Sequence, residues 1–340
     1  MGGFRAEESG VKEREKGSRW RGRVAWGAAA GLLAMGVCVP VAGAGYVFDL
    51  AANLSAQGLG LGVVVCGWFL VGRNWRRAAV GGLGCVLMAW PLVGRVWWVE
   101  GPGPARPVRV LVFNSSTTAG DAGEAMGLIE RSEADVVVLT EPSGALLELV
   151  RDSEVLAGRY PGFFLPDRAA GGYMLVLSTW AQVPVLGETA KDVARGGLRV
   201  MRFERPEGPF ILLALHPDSP RSPAEWAKGN EVVERAAGLL EGELARLGLP
   251  LVVGADLNST PAGWRSRRLG GAGLRRAKPV LAGGTWPAGW PWPLSVAIDD
   301  VWMSRDCRVA GWDRPLGGGS DHRAVLVEVI VGQAGAPAGR

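Results

Sequence analysis

Three apolar segments near the start of this chain constrain it more than any other feature. Val24 to Phe48, Leu54 to Val71 and Ala78 to Val99 are each long enough to cross a hydrocarbon core of about 30 Å as a helix. Their glycines and alanines suit close packing in lipid, where no hydrophobic effect drives helices together. A cleaved signal peptide would account for the first segment but not for the two behind it. A hydrophobic content of 48% and a mean hydropathy of +0.15 agree with a chain that lies partly in a membrane. We expect a basic tail at 1–23, three transmembrane helices within 24–99 and a linker at 100–107.

Flanking charge sets the expected orientation. The tail carries Arg5, Lys12, Arg14, Lys16, Arg19, Arg21 and Arg23, the second loop runs Arg73-Asn74-Trp75-Arg76-Arg77, and the first loop offers only Asp49. By the positive-inside rule both basic segments face the cytoplasm. Everything after Glu100 is then extracytoplasmic, in a multi-pass protein of the plasma (inner) membrane. Arg95, near the outer end of the third segment, can snorkel to the interface. Residues 1–99 hold 11 Lys and Arg against 5 Asp and Glu, whereas residues 100–340 hold 26 against 28. The high pI of 9.1 is therefore a mark of topology, not a nucleic-acid footprint. Cys38, Cys66 and Cys85 fall in the expected spans and Cys307 stands alone beyond them. No disulfide can form within the outer domain, and no cysteine metal site is suggested.

Past the Pro/Gly linker the pattern changes to short apolar runs: Val108 to Phe113, Val136 to Thr140, Phe210 to Leu215, Leu251 to Ala255 and Ala324 to Val331. Runs of this length suit buried strands. Between two of them, Ser222 to Leu247 reads as a helix, with Ser222, Pro223 and Glu225 as a capping start and Gly248 as a stop. The alternation implies an α/β sandwich over 108–332, ahead of a disordered tail at 333–340. Four runs end in a polar group: Asn114, Glu141, His216, and Asp256 with Asn258. One such residue is most simply a turn former. Four together with His322, in a chain with only two histidines, point to one shared site at the strand ends.

The segments "FNSS", "VVVLTE", "LALHP", "VVGADLNSTP", "AIDDVWMS" and "GGSDHRAVLVEV" occur in the order found in the endonuclease/exonuclease/phosphatase superfamily, which the chain resembles over about residues 108–331. The preceding spans and the "TWP" at Thr285 make it most similar to the membrane-anchored branch that includes the VanJ-type teicoplanin-resistance proteins. The resemblance implies a four-layer α/β sandwich of the DNase-I-like kind behind three transmembrane helices. It also implies Mg²⁺, or Mn²⁺, held by Glu141 with Asn114 as partner and Asp321 nearby. Hard oxygen donors suit such an ion. The resemblance further implies that Asp256 orients the attacking water and Asn258, two residues on along an extended chain, donates to the developing oxyanion. His322, held by Asp299, then binds the phosphate or moves a proton, and His216 is a phosphate ligand or general acid. Asp300 and Thr179 depart from the residues common in the family at those positions, which bears on substrate preference.

Two other features could touch substrate. The basic run Arg265, Arg267, Arg268, Arg275, Arg276 and Lys278 is either a solvated surface or an anion-binding rim, in which Arg265 and Arg268 would meet the substrate. The stretch "TWPAGWPWPL" places Trp286, Trp290 and Trp292 between prolines and a glycine, so it is a loop. Its tryptophans are either packed or aimed at something apolar. The seven residues Gly101 to Pro107 of the linker reach roughly 23 Å at most, which favours contact with the bilayer. The expected function is a membrane-anchored, extracytoplasmic, metal-dependent phosphohydrolase or phosphodiesterase acting on a lipid-linked or membrane-proximal phosphate ester or pyrophosphate. An extracellular nuclease is disfavoured by the acidic balance of the outer part, and a catalytically silent binding or sensor protein is the other alternative. Protein partners are left open. The orientation has a direct test: a reporter active only outside the cytoplasm should work when fused after Arg340 and fail when fused after Arg77, as alkaline phosphatase activity in whole cells would record.

Overall fold

Pro40 lies inside the first apolar segment, and a helix interior does not accept a proline without losing a hydrogen bond and clashing with the preceding turn. The computed structural model, which describes residues 3–92, 106–116, 120–164, 174–185, 197–279, 282–291 and 294–332, breaks there. Helix α1 spans Gly3–Cys38, a 3₁₀ turn covers Ala42–Ala44, and α2 (Tyr46–Asn53), α3 (Ser55–Val71) and α4 (Trp75–Ala89) follow. One expectation is corrected: the segment 24–48 is not one helix. The basic tail is helical from Gly3 and continuous with α1.

The helices meet through glycine. A Cβ on Gly36 would stand 2.5 Å from the carbonyl oxygen of Gly84, and one on Gly84 only 2.3 Å from that of Leu32. The backbones of α1 and α4 therefore touch. Large apolar side chains face outward instead: Trp68 is 65% exposed and Trp90 70%, with Val63, Val64 and Val86 also exposed. Glycine at the helix contacts with large apolar side chains exposed is a pattern that suits packing in lipid, while Leu32, Phe69 and Met88 are buried between the helices. Among the described residues no single helix is long and apolar enough to cross a membrane, but α2 and α3 meet that criterion as a pair bent by 61°. The remainder of the third expected segment at 93–99, the linker at 101–105 and the tail at 333–340 lie outside the described residues.

These helices form one unit, Met1–Val93, and Gly94–Arg340 forms a second. The second runs β1 (Val108–Asn114), α5 (Ala122–Ser132), β2 (Val136–Thr140), α6 (Gly144–Asp152), α7 (Glu154–Arg159), β3 (Gly162–Phe164), β4 (Met174–Ser178), β5 (Gln182–Pro184), β6 (Leu198–Phe203) and β7 (Phe210–Leu215). It continues with α8 (Pro223–Glu241), α9 (Glu243–Leu247), β8 (Leu251–Asp256), α10 (Trp264–Gly271), β9 (Arg275–Arg276), β10 (Asp299–Met303), β11 (Arg308–Asp313) and β12 (Val325–Ile330). All five expected strands are present. The expected helix at 222–247 starts as anticipated, with the Ser222 hydroxyl accepting from Glu225 N–H at 3.2 Å, but Gly242 divides it into α8 and α9.

Two sheets of six strands result, ordered β11-β12-β1-β2-β4-β3 and β5-β6-β7-β8-β10-β9. Each is built on a parallel pair, β1 with β2 and β7 with β8, flanked by antiparallel strands. Side chains alternate across a strand. Val108, Val110 and Val112 of β1 thus meet Phe210, Leu212 and Ala214 of β7 and Val252 of β8 in one core between the sheets. Leu111 and Phe113 face the other way, onto α5 and α6, while Ile211, Leu213, Val253 and Ala255 pack under α8 and α10. The expected α/β sandwich is therefore four-layered.

The inter-sheet space is tight at Gly254, where a Cβ would lie 2.9 Å from Val138 Cγ2 and 3.1 Å from Val112 Cγ2. Gly254→Val overfills this gap. It should destabilise by about 2 kcal/mol and lower the melting temperature of the solubilised protein by about 4–8 °C, as differential scanning calorimetry would show.

Candidate active site

The row of inward side chains on each central strand is apolar until its last member. On β1, Val108, Val110 and Val112 are followed by Asn114. On β7, Phe210, Leu212 and Ala214 are followed by His216. On β8, Val252 and Gly254 are followed by Asp256. Asp299 sits opposite Asp256 in the β8–β10 register and begins the inward row of Val301 and Met303. Because β1 and β2, and β7 and β8, run parallel, these ends collect at one edge of the sandwich. Glu141 follows β2 on the opposite parity, with Val137 and Leu139. Its backbone takes the left-handed conformation, φ 51°, which turns the side chain back into the cluster. Non-glycine residues rarely accept this conformation.

The cluster is tightly connected. The Asn114 amide nitrogen donates to Glu141 Oε1 at 3.1 Å and across the sheets to Asp256 Oδ2 at 2.9 Å, while its Oδ1 accepts Ser116 N–H at 2.9 Å. His216 Nε2 lies 3.2 Å from Glu141 Oε1 and its Nδ1 3.7 Å from Asp256 Oδ2. The Asp256 Oδ1 accepts Asn258 N–H at 2.9 Å. His322 Nδ1 meets both Asp299 oxygens, at 3.1 and 2.9 Å, which leaves Nε2 as the ring's remaining donor. Asp256 and Asp299 are fully buried.

Electrostatics follow from that packing. The hydrogen bond from His216 is the main cause that holds Glu141 down at about 2, against the opposing effect of burial. Burial presses His322 toward its neutral form, yet Asp299 and Asp256 overcome it and lift the imidazole to about 10. His216 is raised likewise, its burial outweighed by Glu141 and Asp256. Three carboxylates thus create a field that draws protons onto both imidazoles, and a divalent cation answers the same field. Donor atoms of Glu141, His216 and Asp256 lie within 4.8 Å of one another, as do those of Asp256, Asp299 and His322. Among the described residues the buried His216 Nδ1 has no hydrogen-bond partner, the Asp256 carboxylate lying 3.7 Å away. The residues present fit a hard divalent metal, with Glu141 as the half-exposed donor facing solvent and Asp256 engaged on both oxygens by Asn114 and Asn258.

The structure brings Asn114, Glu141, His216, Asp256, Asn258, Asp299 and His322 together, as expected, and revises three details. Asn114 turns its nitrogen toward the carboxylates. Asn258 is not extended: at φ 49° it curls back, and its side-chain amide donates to the Pro217 carbonyl at 3.2 Å. Asp321 belongs to neither potential metal cluster and instead accepts the Trp286 indole N–H at 3.0 Å.

The arginine rim is corrected. Arg265 is wholly buried and bonds Asn230 Oδ1 at 2.9 Å and the carbonyls of Asp218 and Leu257 at 2.8 and 3.0 Å, so it is an internal brace. Arg268 is clasped by Glu234 at 2.8 Å and by Glu241 at 2.6 Å. Trp286 and Trp290 are exposed, at 39% and 53%, and Trp292 lies outside the described residues.

Three supporting residues escaped the sequence reading. The Thr285 hydroxyl accepts the N–H of Ile298 and Asp299 at 3.1 and 3.2 Å. The Ser320 hydroxyl donates to the Asn114 carbonyl at 2.8 Å and accepts His322 N–H at 3.1 Å. Arg323 Nε donates to the Ala288 carbonyl at 2.8 Å. Their signal was adjacency to Trp286, Asp321 and His322.

The sequence matches the Endonuclease/Exonuclease/phosphatase family over residues 111–322, a span that holds every clustered residue. Among solved structures, an endonuclease/exonuclease/phosphatase from Beutenbergia cavernae DSM 12333 is 20% identical, with a TM-score of 0.50 over 68% of this chain and 73% of that one. One from Bacteroides vulgatus is 16% identical, with a TM-score of 0.50 over 67% of this chain and 100% of that one. These likenesses concern the fold. No curated protein matches the sequence.

The two arginines separate in their expected effect on stability. Arg265→Met strands buried acceptors and should destabilise by about 3 kcal/mol, whereas Arg268→Met removes only surface ion pairs, about 0–1 kcal/mol. Thermal melts of the two variants side by side would check this.

Proposed function

The chain belongs to the endonuclease/exonuclease/phosphatase family, phosphoric ester hydrolases that depend on a divalent metal, and from that premise we propose that it hydrolyses a lipid-linked or membrane-proximal phosphate ester or pyrophosphate outside the cytoplasm. The observation that carries the hydrolytic part is the joining of Glu141, Asn114 and Asp256 to the Asp299–His322 pair across two sheets. The membrane-anchored part is supported by the outward-facing tryptophans and valines of α3 and α4, the glycine contact of α1 with α4, and the basic flanks. We place the protein in the VanJ-like membrane branch on the same grounds.

Glu141, with Asn114 and His216 beside it, would hold Mg²⁺ or Mn²⁺, which would neutralise charge on the phosphoryl oxygens and on the leaving oxygen. The protein's own part follows from the bonds described. His322, protonated and fixed through Nδ1 by Asp299, presents Nε2–H to a phosphoryl oxygen, where a preset donor needs no reorganisation as charge develops. Asp256, immobilised by Asn114 and Asn258, is the base that aligns water for in-line attack. His216, between Glu141 and Asp256, is the proton source closest to both. The net negative charge of residues 100–340 weighs against duplex nucleic acid as the substrate.

Glu141→Gln and His322→Ala should each lower turnover by about 100-fold or more, with the melting temperature of Glu141→Gln held near wild type and that of His322→Ala lowered because buried Asp299 loses its donor. Chelation should abolish activity, and Mg²⁺ or Mn²⁺ should restore it. Assays of the full protein against lipid pyrophosphates, phosphodiesters and DNA would check this; wild-type rates in both variants would refute the assignment.

A further inference from the structure

Trp286 and Trp290 are left over once the catalytic residues have been placed, and their setting is unusual for exposed aromatics. Their loop is pinned to the segment that carries His322. Ala288 N–H donates to the Asp321 carbonyl at 2.7 Å, Arg323 N–H to the Thr285 carbonyl at 2.9 Å, and Arg323 Nη2 to the Trp290 carbonyl at 3.2 Å. The Trp286 indole is fixed by Asp321, with its ring centroid 6.5 Å from that of His322. Arg314 ties the adjoining loop to the Gly284 carbonyl at 2.5 Å, and that loop carries Leu316, 85% exposed; Leu294 is also exposed. A backbone held this firmly, with its rings turned to solvent, is a surface made in advance, and such surfaces bind without an ordering cost.

The occupant is set by what the surface adjoins. One end meets the Nε2 face of His322, held by Asp299 and placed above against a phosphoryl oxygen, and the rest is apolar, so a ligand that spans both is anionic at one end and hydrocarbon at the other. We propose that Trp286 and Trp290 form the subsite for the apolar chain of an amphiphilic phosphate substrate, and that Asp321 is a positioning residue that aims the Trp286 ring. This rests on the hydrolase reading above and names the substrate class it would take. It also separates Asp321 from the metal ligands with which the sequence grouped it.

The test uses the full protein in lipid nanodiscs and two esters that differ only in chain length, methyl and octyl p-nitrophenyl phosphate. Wild type should prefer the octyl ester in kcat/KM by about tenfold or more, since each buried methylene contributes to binding. It should also bind octyl phosphate about tenfold more tightly than methyl phosphate by calorimetry. Trp286→Ala, Trp290→Ala and Asp321→Ala should each collapse that preference to about twofold. Asp321→Asn should keep it, because its amide oxygen still accepts the indole N–H. A preference that survives Trp286→Ala, or falls equally in Asp321→Asn and Asp321→Ala, overturns the proposal. Cleavage of both esters with no preference defeats the subsite and keeps the hydrolase; octyl preference in binding with neither ester cleaved does the opposite.

Discussion

The hydrogen bond from Asn114 to Asp256 is the contact on which the site depends. Those residues are far apart in sequence and stand on different sheets, and their 2.9 Å separation exists only when the two sheets are packed face to face. The core between the sheets is almost wholly aliphatic and carries no directional information of its own. Register is supplied at its edge, where one amide nitrogen must reach carboxylates from both sheets. Burying Asp256 and Asp299 together would be prohibitive without donors. Asn114, Asn258 and the two imidazoles are those donors, so the groups suited to chemistry are also those that let the edge close.

Much of this was legible in the sequence because each central strand changes from apolar to polar at one inward position. A strand buried on both faces shows no alternation, so the apolar runs alone could not say which side chains faced the other sheet. Asn114, His216 and Asp256 revealed it by where they stopped the run. Short edge strands such as β3, β5 and β9 give no such signal and went unseen. Arg265 misled for a physical reason. A run of basic residues looks like surface, and only the folded chain shows that Asn230 and the carbonyls of Asp218, Leu257 and Trp226 converge on that one guanidinium. Pro40 and Gly242, which break helices expected to be continuous, were visible as residues but were outweighed by the length of the apolar patterns around them.

The helical unit places its apolar surface differently from the sandwich. Gly36, Gly58, Gly62, Gly81 and Gly84 lie against neighbouring helices and its tryptophans are exposed, whereas the sandwich hides its aliphatic residues and exposes charge. One polypeptide thus carries two opposite solutions to the placement of apolar surface, and the few large apolar side chains exposed around His322 resemble the outside of the first more than the outside of the second.

Glu141 occupies a backbone conformation that glycine, asparagine or aspartate would accept more readily. Selection for fold stability alone would replace it with one of these. A long carboxylate at φ 51° is a compromise between two demands on one position: the backbone is least comfortable where the reach of the side chain matters most. A sequence drifting toward greater robustness could therefore lose its chemistry first at this residue, and become a sturdier protein as it did so.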